Sequence, residues 1–271
     1  MTTPYLPFPD FDQVILPLWG PLAIRWYSLA YIVGTMLGWL YTRHILRKYP
    51  QKGLTVAHLD DVVSYLIVGV VLGGRLGYVL FYKPLYYLAH PLEALQIWQG
   101  GMSFHGGLIG SALAFALYAW RRKVPFFTLT DVASTAAPIG LFFGRIANFI
   151  NGEVYGRVTD VSWAVLFPTG GYLPRHPSQL YEALLEGFVL FFVLLWFVAC
   201  RQKLYARGFT SGLFILGYGV ARFFVEFYRE ADDFLGYFLS CFTLGQFLSL
   251  PLIMYGAYLM KRSASNQCSK I

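Results

Sequence analysis

Charge is what this sequence has least of. Asp, Glu, Lys and Arg make up 13% of its 271 residues, against 57% hydrophobic. Such a chain has too little polar surface to coat a soluble domain, and apolar runs of about 20 residues are the length of bilayer-crossing helices. Cysteine is scarce too. Cys200, Cys241 and Cys268 form no CxxC pair and no metal-ligand spacing, so neither a disulfide nor a metal site is expected, and nothing calls for a cofactor. A basic leader is missing: the first basic residue is Arg25, so no cleavable signal is expected. No repeat, low-complexity tract or polar domain interrupts the apolar runs. The net charge of +7 would suit nucleic acid if the basic residues were pooled. They lie instead in short clusters between apolar runs, which is a membrane-topology pattern, and no nucleic-acid partner is expected.

What is there reads as an all-α polytopic membrane protein, a single integral membrane domain over 1–271. Seven spans are expected near 20–42, 58–82, 103–120, 127–150, 177–200, 209–228 and 243–260. The segment before them, with four prolines and with Asp10 and Asp12, reads as an interfacial loop. One side of the connections carries Arg43, Arg47, Lys48 and Lys52, then Arg121, Arg122 and Lys123, then Arg201, Lys203 and Arg207, then Lys261, Arg262 and Lys270. The other carries only Lys83, Arg157, Arg175 and Arg229. The positive-inside rule then puts the amino terminus outside and the carboxy terminus in the cytoplasm. Residues 83–102, rich in Tyr, Leu and Trp, suit the outer interface. Residues 151–176, polar and with Gly170-Gly171, form a small extracytoplasmic cap.

An ionisable group at bilayer depth costs about 2.5–3.5 kcal/mol, so each one inside a span points to a task. Arg25 and Tyr27 open the first span, and Arg75 and Tyr78 fall late in the second. His105 begins the third, Arg145 and Asn148 end the fourth, and Gln179, Tyr181, Glu182 and Glu186 begin the fifth. Tyr218, Arg222 and Glu226 lie in the outer half of the sixth. Nearly all of them share one depth, as around a single outward chamber. A channel or proton relay would spread them across the membrane.

The densest stretch runs from Gly144-Arg145 through Asn148, Asn151, Gly152, Glu153 and Gly156 to Arg157. One asparagine suits interhelical glue, but five polar side chains in thirteen residues do not. Tyr218, Arg222, Glu226 and Arg229, spaced by 4, 4 and 3, share one helical stripe. An Arg222–Glu226 ion pair lets both charges be buried, and it also orients a guanidinium fork that matches phosphate oxygens. Arg145 either meets a lipid phosphate or pairs with Glu182 or Glu226. His105, in Phe104-His105-Gly106-Gly107, is either a satisfied polar residue or a general base whose small flanks admit a ligand. His176-Pro177-Ser178-Gln179-Leu180-Tyr181-Glu182 begins the fifth span, with His176 and Ser178 suited to starting the helix and Gln179, Tyr181 and Glu182 projecting into the spans.

These segments, together with Ile24-Arg25-Trp26-Tyr27 and Arg222-Phe223-Phe224-Val225-Glu226-Phe227, resemble the bacterial prolipoprotein diacylglyceryl transferases. The resemblance spans about residues 14–260, departing at Ala147 where glycine is common. It implies seven spans, an outward amino terminus and residence in the bacterial inner membrane. It also implies transfer of the diacylglyceryl unit of phosphatidylglycerol to the lipobox cysteine of a preprolipoprotein signal peptide, with a thioether formed and glycerol 1-phosphate released. On that basis His105 is the candidate base, Tyr27 and Tyr218 are polarising groups, and Arg145 and Arg222 are phosphate clamps. Asn148, Asn151, Glu153 and Gly156, with Gln179, Tyr181, Glu182 and Glu226, shape the phosphatidylglycerol pocket. The alternative is a transporter or flippase of an anionic lipid, using the arginines only to bind. A carrier would also need polar groups toward the cytoplasmic half, and few are present.

Overall fold

The computed structural model describes residues 5–230, except 10, 13, 20 and 21, and residues 243–268. Asp10, Cys241 and most of the connection before the seventh expected span lie outside the described residues. The chain is mostly helical, and each expected span overlaps a helix, the first only from Trp26 onward. These are α1 (Trp26–Lys48), α2 (Val56–Phe81), α4 (Phe104–Arg122), α5 (Phe126–Ile150), α6 (Ser178–Ala199), α7 (Phe209–Val225) and α8 (Leu244–Cys268), with a short α3 (Pro84–Ala89) after α2. Among the described residues α2, α5 and α6 are long and apolar enough to cross a membrane, and α7 is a shorter apolar helix.

The amino-terminal segment is more regular than the loop expected of it. β1 (Leu6–Pro7) pairs in parallel with β4 (Val165–Leu166), and β2 (Val14–Trp19) pairs antiparallel with β3 (Leu22–Arg25). Val14–Trp19 and Leu22–Arg25 satisfy each other's backbone groups in a two-stranded ladder where the prolines disfavour helix. Arg25 therefore closes a strand, and α1 begins one residue later, at Trp26.

The chain divides into two compact units, Met1–Tyr41 with Asp131–Ile271, and Thr42–Thr130. In the first, missing side chains set the helix spacing. A Cβ on Gly187 would sit 2.9 Å from the Cα of Phe142, so α5 and α6 meet there at backbone distance. Gly212 and Gly256 do the same for α7 and α8, each facing the other's carbonyl oxygen at 2.8 and 2.7 Å. Small residues of this kind drive helix association where the solvent is itself apolar. Asp131 on α5 caps α7: its carboxylate accepts from the Gly208 and Ser211 amides at 2.5 and 2.8 Å and from the Ser211 hydroxyl at 2.8 Å. Leu190, Leu194, Ala206, Phe209 and Leu213 form the apolar cluster beside it. Residues Ala183–Val189 of α6 wind as a π-helix, a rare form found most often at functional sites. Cys200, just past α6, is exposed.

In the second unit, Gly69, Gly73 and Gly77 of α2 pack on Gly106, Gly110 and Ala114 of α4. A Cβ on Gly106 would overlap the Gly73 carbonyl oxygen, so this glycine is filled by the neighbouring helix. Arg75 is 4% exposed and spends its guanidinium on main-chain carbonyls. Its Nε donates to Ala94 at 2.7 Å, Nη1 to Gly100 at 2.6 Å, and Nη2 to Glu93 at 2.7 Å. The group also stands 5.3 Å from the ring centre of Tyr87. It ties down the segment after α2, whose Leu85, Leu88, Leu92 and Trp98 remain at least 77% exposed. Arg75→Ala should strip three carbonyls of a charged donor at a cost of at least about 1.5–3 kcal/mol. Hydrogen exchange across residues 90–101 should accelerate while that of α5 and α6 stays unchanged. Uniform acceleration would instead mean global loss of the fold.

Candidate functional site

The polar residues that open α6 and close α5 and α7 assemble into one network in the first unit. The Gly187–Phe142 approach brings Arg145, one turn further along α5, beside Glu182 and Glu186. Both carboxylates, four residues apart, project from the same side of α6, within or beside its π segment. Arg145 Nη1 lies 3.3 Å from Glu182 and Nη2 lies 3.4 Å from Glu186. From α7, Arg222 bonds the other oxygen of Glu182 and meets Glu226 at 2.9 Å. Arg229, beyond the helix end, lies 3.4 Å from Glu182 and 3.8 Å from Glu226. Tyr218 interacts with the same charges, Glu186 and Arg222 foremost.

Three arginines thus face three glutamates and the cluster is neutral, which is what makes its burial tolerable. Glu182 and Glu186 are fully buried, while the three guanidinium side chains keep 16–17% of their surface. Charge-assisted bonds run about 2.7–2.9 Å. By that measure Arg222 is the more tightly held by its carboxylates, and the Arg145 contacts, at 3.3 and 3.4 Å, are longer. Glu186 Oε1 has no hydrogen-bond partner among the described residues. On the far side of Glu226, Thr243 donates to its Oε1 at 3.0 Å, and Gly245 leaves the room the carboxylate occupies.

The signature loop continues from this cluster. Glu153 accepts from Asn148 at 2.8 Å and from Asn151 at 3.5 Å, and Tyr27 interacts with both Asn148 and Glu153. Val154 holds a left-handed backbone, φ 58°, rare for a β-branched residue. It is gripped from α6: Ser178 donates to its carbonyl at 3.1 Å and Gln179 to that of Glu153 at 2.6 Å. These two residues begin the helix, and they also lock the loop in a strained shape. Gly156 runs between two other stretches of backbone, bonding His176 through its amide at 2.8 Å. A Cβ there would overlap the Tyr228 carbonyl, so the chain itself fills the space beside Gly156. Tyr181 accepts from Trp163 at 2.7 Å and lies 3.2 Å from His176 Nδ1. Burial, and then the charge of Arg157, push His176 below its ordinary pKa, favouring the neutral imidazole in this contact.

The first unit therefore gathers Tyr27, Arg145, Asn148, Asn151, Glu153, Gly156, Gln179, Tyr181, Glu182, Tyr218, Arg222 and Glu226. His105 belongs to the second unit, exposed in the first turn of α4. Its flank Gly106 is taken up by α2 rather than left open for a ligand. Glu186 and Arg229 are network members absent from the expected site. Both were signalled, Glu186 by its four-residue step from Glu182 and Arg229 by closing the α7 stripe. No group of three or more His, Cys, Asp or Glu able to hold a metal occurs among the described residues.

Charge balance makes a prediction about the α7 pair. Glu226→Gln should leave the network with one unmatched arginine and cost several kcal/mol, the order of breaking a buried pair. Adding Arg222→Met restores two cations against two anions and should recover much of that loss. Thermal unfolding in detergent reads both steps, and a double variant no more stable than Glu226→Gln would contradict the neutral-cluster account.

A model of the family described as prolipoprotein diacylglyceryl transferase matches residues 13–262. The chain is 51% identical over 266 residues to the phosphatidylglycerol--prolipoprotein diacylglyceryl transferase of Rhizobium meliloti, covering 96% of this chain and 95% of that one. It is 53% identical over 271 residues to the enzyme of the same name from Beijerinckia indica, covering 96% of each. With that of Methylocella silvestris it shares 52% over 262 residues, 93% of this chain and 94% of the other.

Proposed function

The chain belongs to the prolipoprotein diacylglyceryl transferase family, and from that premise we propose how its residues carry out the transfer. It is a membrane-embedded transferase of lipoprotein biosynthesis that moves the diacylglyceryl group of phosphatidylglycerol to prolipoproteins. The acceptor is the lipobox cysteine of the signal peptide. Its thiol loses a proton to a base, for which His105 is the candidate, because only the thiolate is a competent nucleophile. The sulfur attacks the glyceryl carbon that bears the phosphate. A carbon–sulfur bond forms, the carbon–oxygen bond breaks, and glycerol 1-phosphate departs with the electron pair.

Negative charge grows on the phosphate as that bond breaks, so fixed donors aimed at it lower the barrier. Arg145 is the main clamp. Arg222, held by Glu182 and Glu226, sets the charge balance that lets Arg145 remain cationic at depth, and it adds a second positive centre. Tyr27, Asn148, Asn151 and Glu153 orient the headgroup glycerol, and Tyr218 bridges the clamp and the apolar cluster. Gln179, Tyr181 and Gly156 hold the loop that carries these groups. The seven long helices are spans of the bacterial inner membrane, with the amino terminus outside, 151–176 as an outer cap, and the site opening to the outer leaflet.

The observation that carries this reading is a neutral, buried Arg–Glu cluster in which Arg145 spans two carboxylates at 3.3 and 3.4 Å and adjoins the Asn148–Glu153 patch. The test combines purified protein, headgroup-labelled phosphatidylglycerol and a lipobox peptide. The peptide thiol should gain one diacylglyceryl mass, with one labelled glycerol 1-phosphate released per thioether. Lipid binding without thioether formation would sink the reading in favour of a carrier.

A further inference from the structure

Outside the charged network, the first unit contains a cleft of about 440 Å³ formed by the amino-terminal segment and the end of α5. That is the size range of specific ligand sites, roughly 300–1,000 Å³. Phe8, Phe11 and Val14 line one wall, Ile150, Asn151 and Gly152 the floor, and Pro168 and Thr169 the other wall. The walls are pinned. Leu6 donates to the Ala164 carbonyl at 2.8 Å in the β1–β4 pair, and Phe8 packs 5.6 Å from Phe149 and 5.4 Å from Phe167. Asp12 bonds the Val14 amide at 2.9 Å, and its carbonyl accepts from the Trp26 indole at 3.0 Å, which keeps the Phe11–Val14 stretch in place.

We propose that this cleft seats the extended peptide segment that immediately follows the acceptor cysteine. The inference rests on the transferase reading above and names the docking place of its second substrate. Among the described residues the only charged side chain lining the cleft is the Asp12 carboxylate, and no Lys or Arg contributes. A phosphate headgroup is repelled there, whereas a neutral chain with apolar or small side chains meets rings and prolines. The floor is Asn151-Gly152, which joins the cleft directly to the Asn148–Glu153 patch. It also lies at the last turn of α5, at the boundary where a chain leaving a membrane-embedded cysteine emerges. An extended peptide fits because aromatic and proline walls grip side chains by packing without prescribing sequence, as an enzyme with many protein substrates requires.

Two lipobox peptides test the proposal, one ending at the amidated cysteine and one continued by four residues. In the wild-type protein the continuation should lower the KM for peptide about tenfold, the loss expected when a few packed anchors go unused. In the Phe11→Ala, Asp12→Asn double variant that gain should vanish, with kcat for the short peptide and the KM for phosphatidylglycerol unchanged. A photoreactive phenylalanine placed two residues after the cysteine should crosslink wild-type protein within residues 8–14 or 168–169. Equal KM values for the two wild-type peptides would overturn the cleft assignment, as would crosslinks confined to other segments. A rise in the lipid KM alone would reassign the cleft to phosphatidylglycerol. Failure of the wild-type protein to modify either peptide would instead overturn the transferase reading.

Discussion

Glu182→Ala should be the most damaging single truncation in the protein, costing about 3–5 kcal/mol, the range for breaking a buried ion pair from one side. Glu182 is fully buried and is the carboxylate that Arg145, Arg222 and Arg229 have in common. Removing it leaves three cations against two anions in a water-poor site. Those cations sit on α5, on α7 and just past α7, so their mutual repulsion acts between elements that Gly187 and its neighbours have drawn close. Glu182→Gln keeps the shape and loses the charge, which separates cavity from electrostatics. If charge dominates, the glutamine variant should be nearly as unstable as the alanine one by thermal unfolding in detergent. A glutamine variant within about 1 kcal/mol of wild type would mean that packing, rather than neutralisation, holds the cluster.

The sequence already carried much of this. Apolar runs placed each long helix, because in a membrane protein a helix is the economical way to bury backbone polar groups. Depth gathered the costly side chains, and helical spacing anticipated the Arg222–Glu226 contact. What was not legible depends on which chain fills which gap. Gly106 read as room for a ligand and Gly156 as close approach to a ligand or a partner, and at each it is backbone of another segment that comes close. Spacing signalled Glu186 and Arg229 but not the local backbone that seats them, a π segment in α6 and a turn past the end of α7. The strand pairs that build the cleft wall were hidden too, since short proline-broken stretches have no strong period.

Arg145→Lys should lower turnover by about two to three orders of magnitude, the size of losing one preorganised donor at a developing oxyanion. The charge is kept, so a role limited to bulk potential would survive the change. What the substitution removes is the planar fork, which spans Glu182 and Glu186 with one nitrogen each and still presents an exposed edge. An ammonium can satisfy one carboxylate or a phosphate oxygen, but not hold both carboxylates while gripping a third anion. The contact tightens only as the carbon–oxygen bond breaks, so kcat should fall further than the apparent KM for phosphatidylglycerol rises. Glu186→Gln in the same assay separates two causes. It leaves the guanidinium intact but loosens one of its two tethers, and so should cost much less than Arg145→Lys. Equal losses in the two variants would mean that orientation by Glu186 is what matters. Near-normal turnover in a stable Arg145→Lys protein would strike Arg145 from the mechanism and leave Arg222, held by Glu182 and Glu226, as the clamp to be explained.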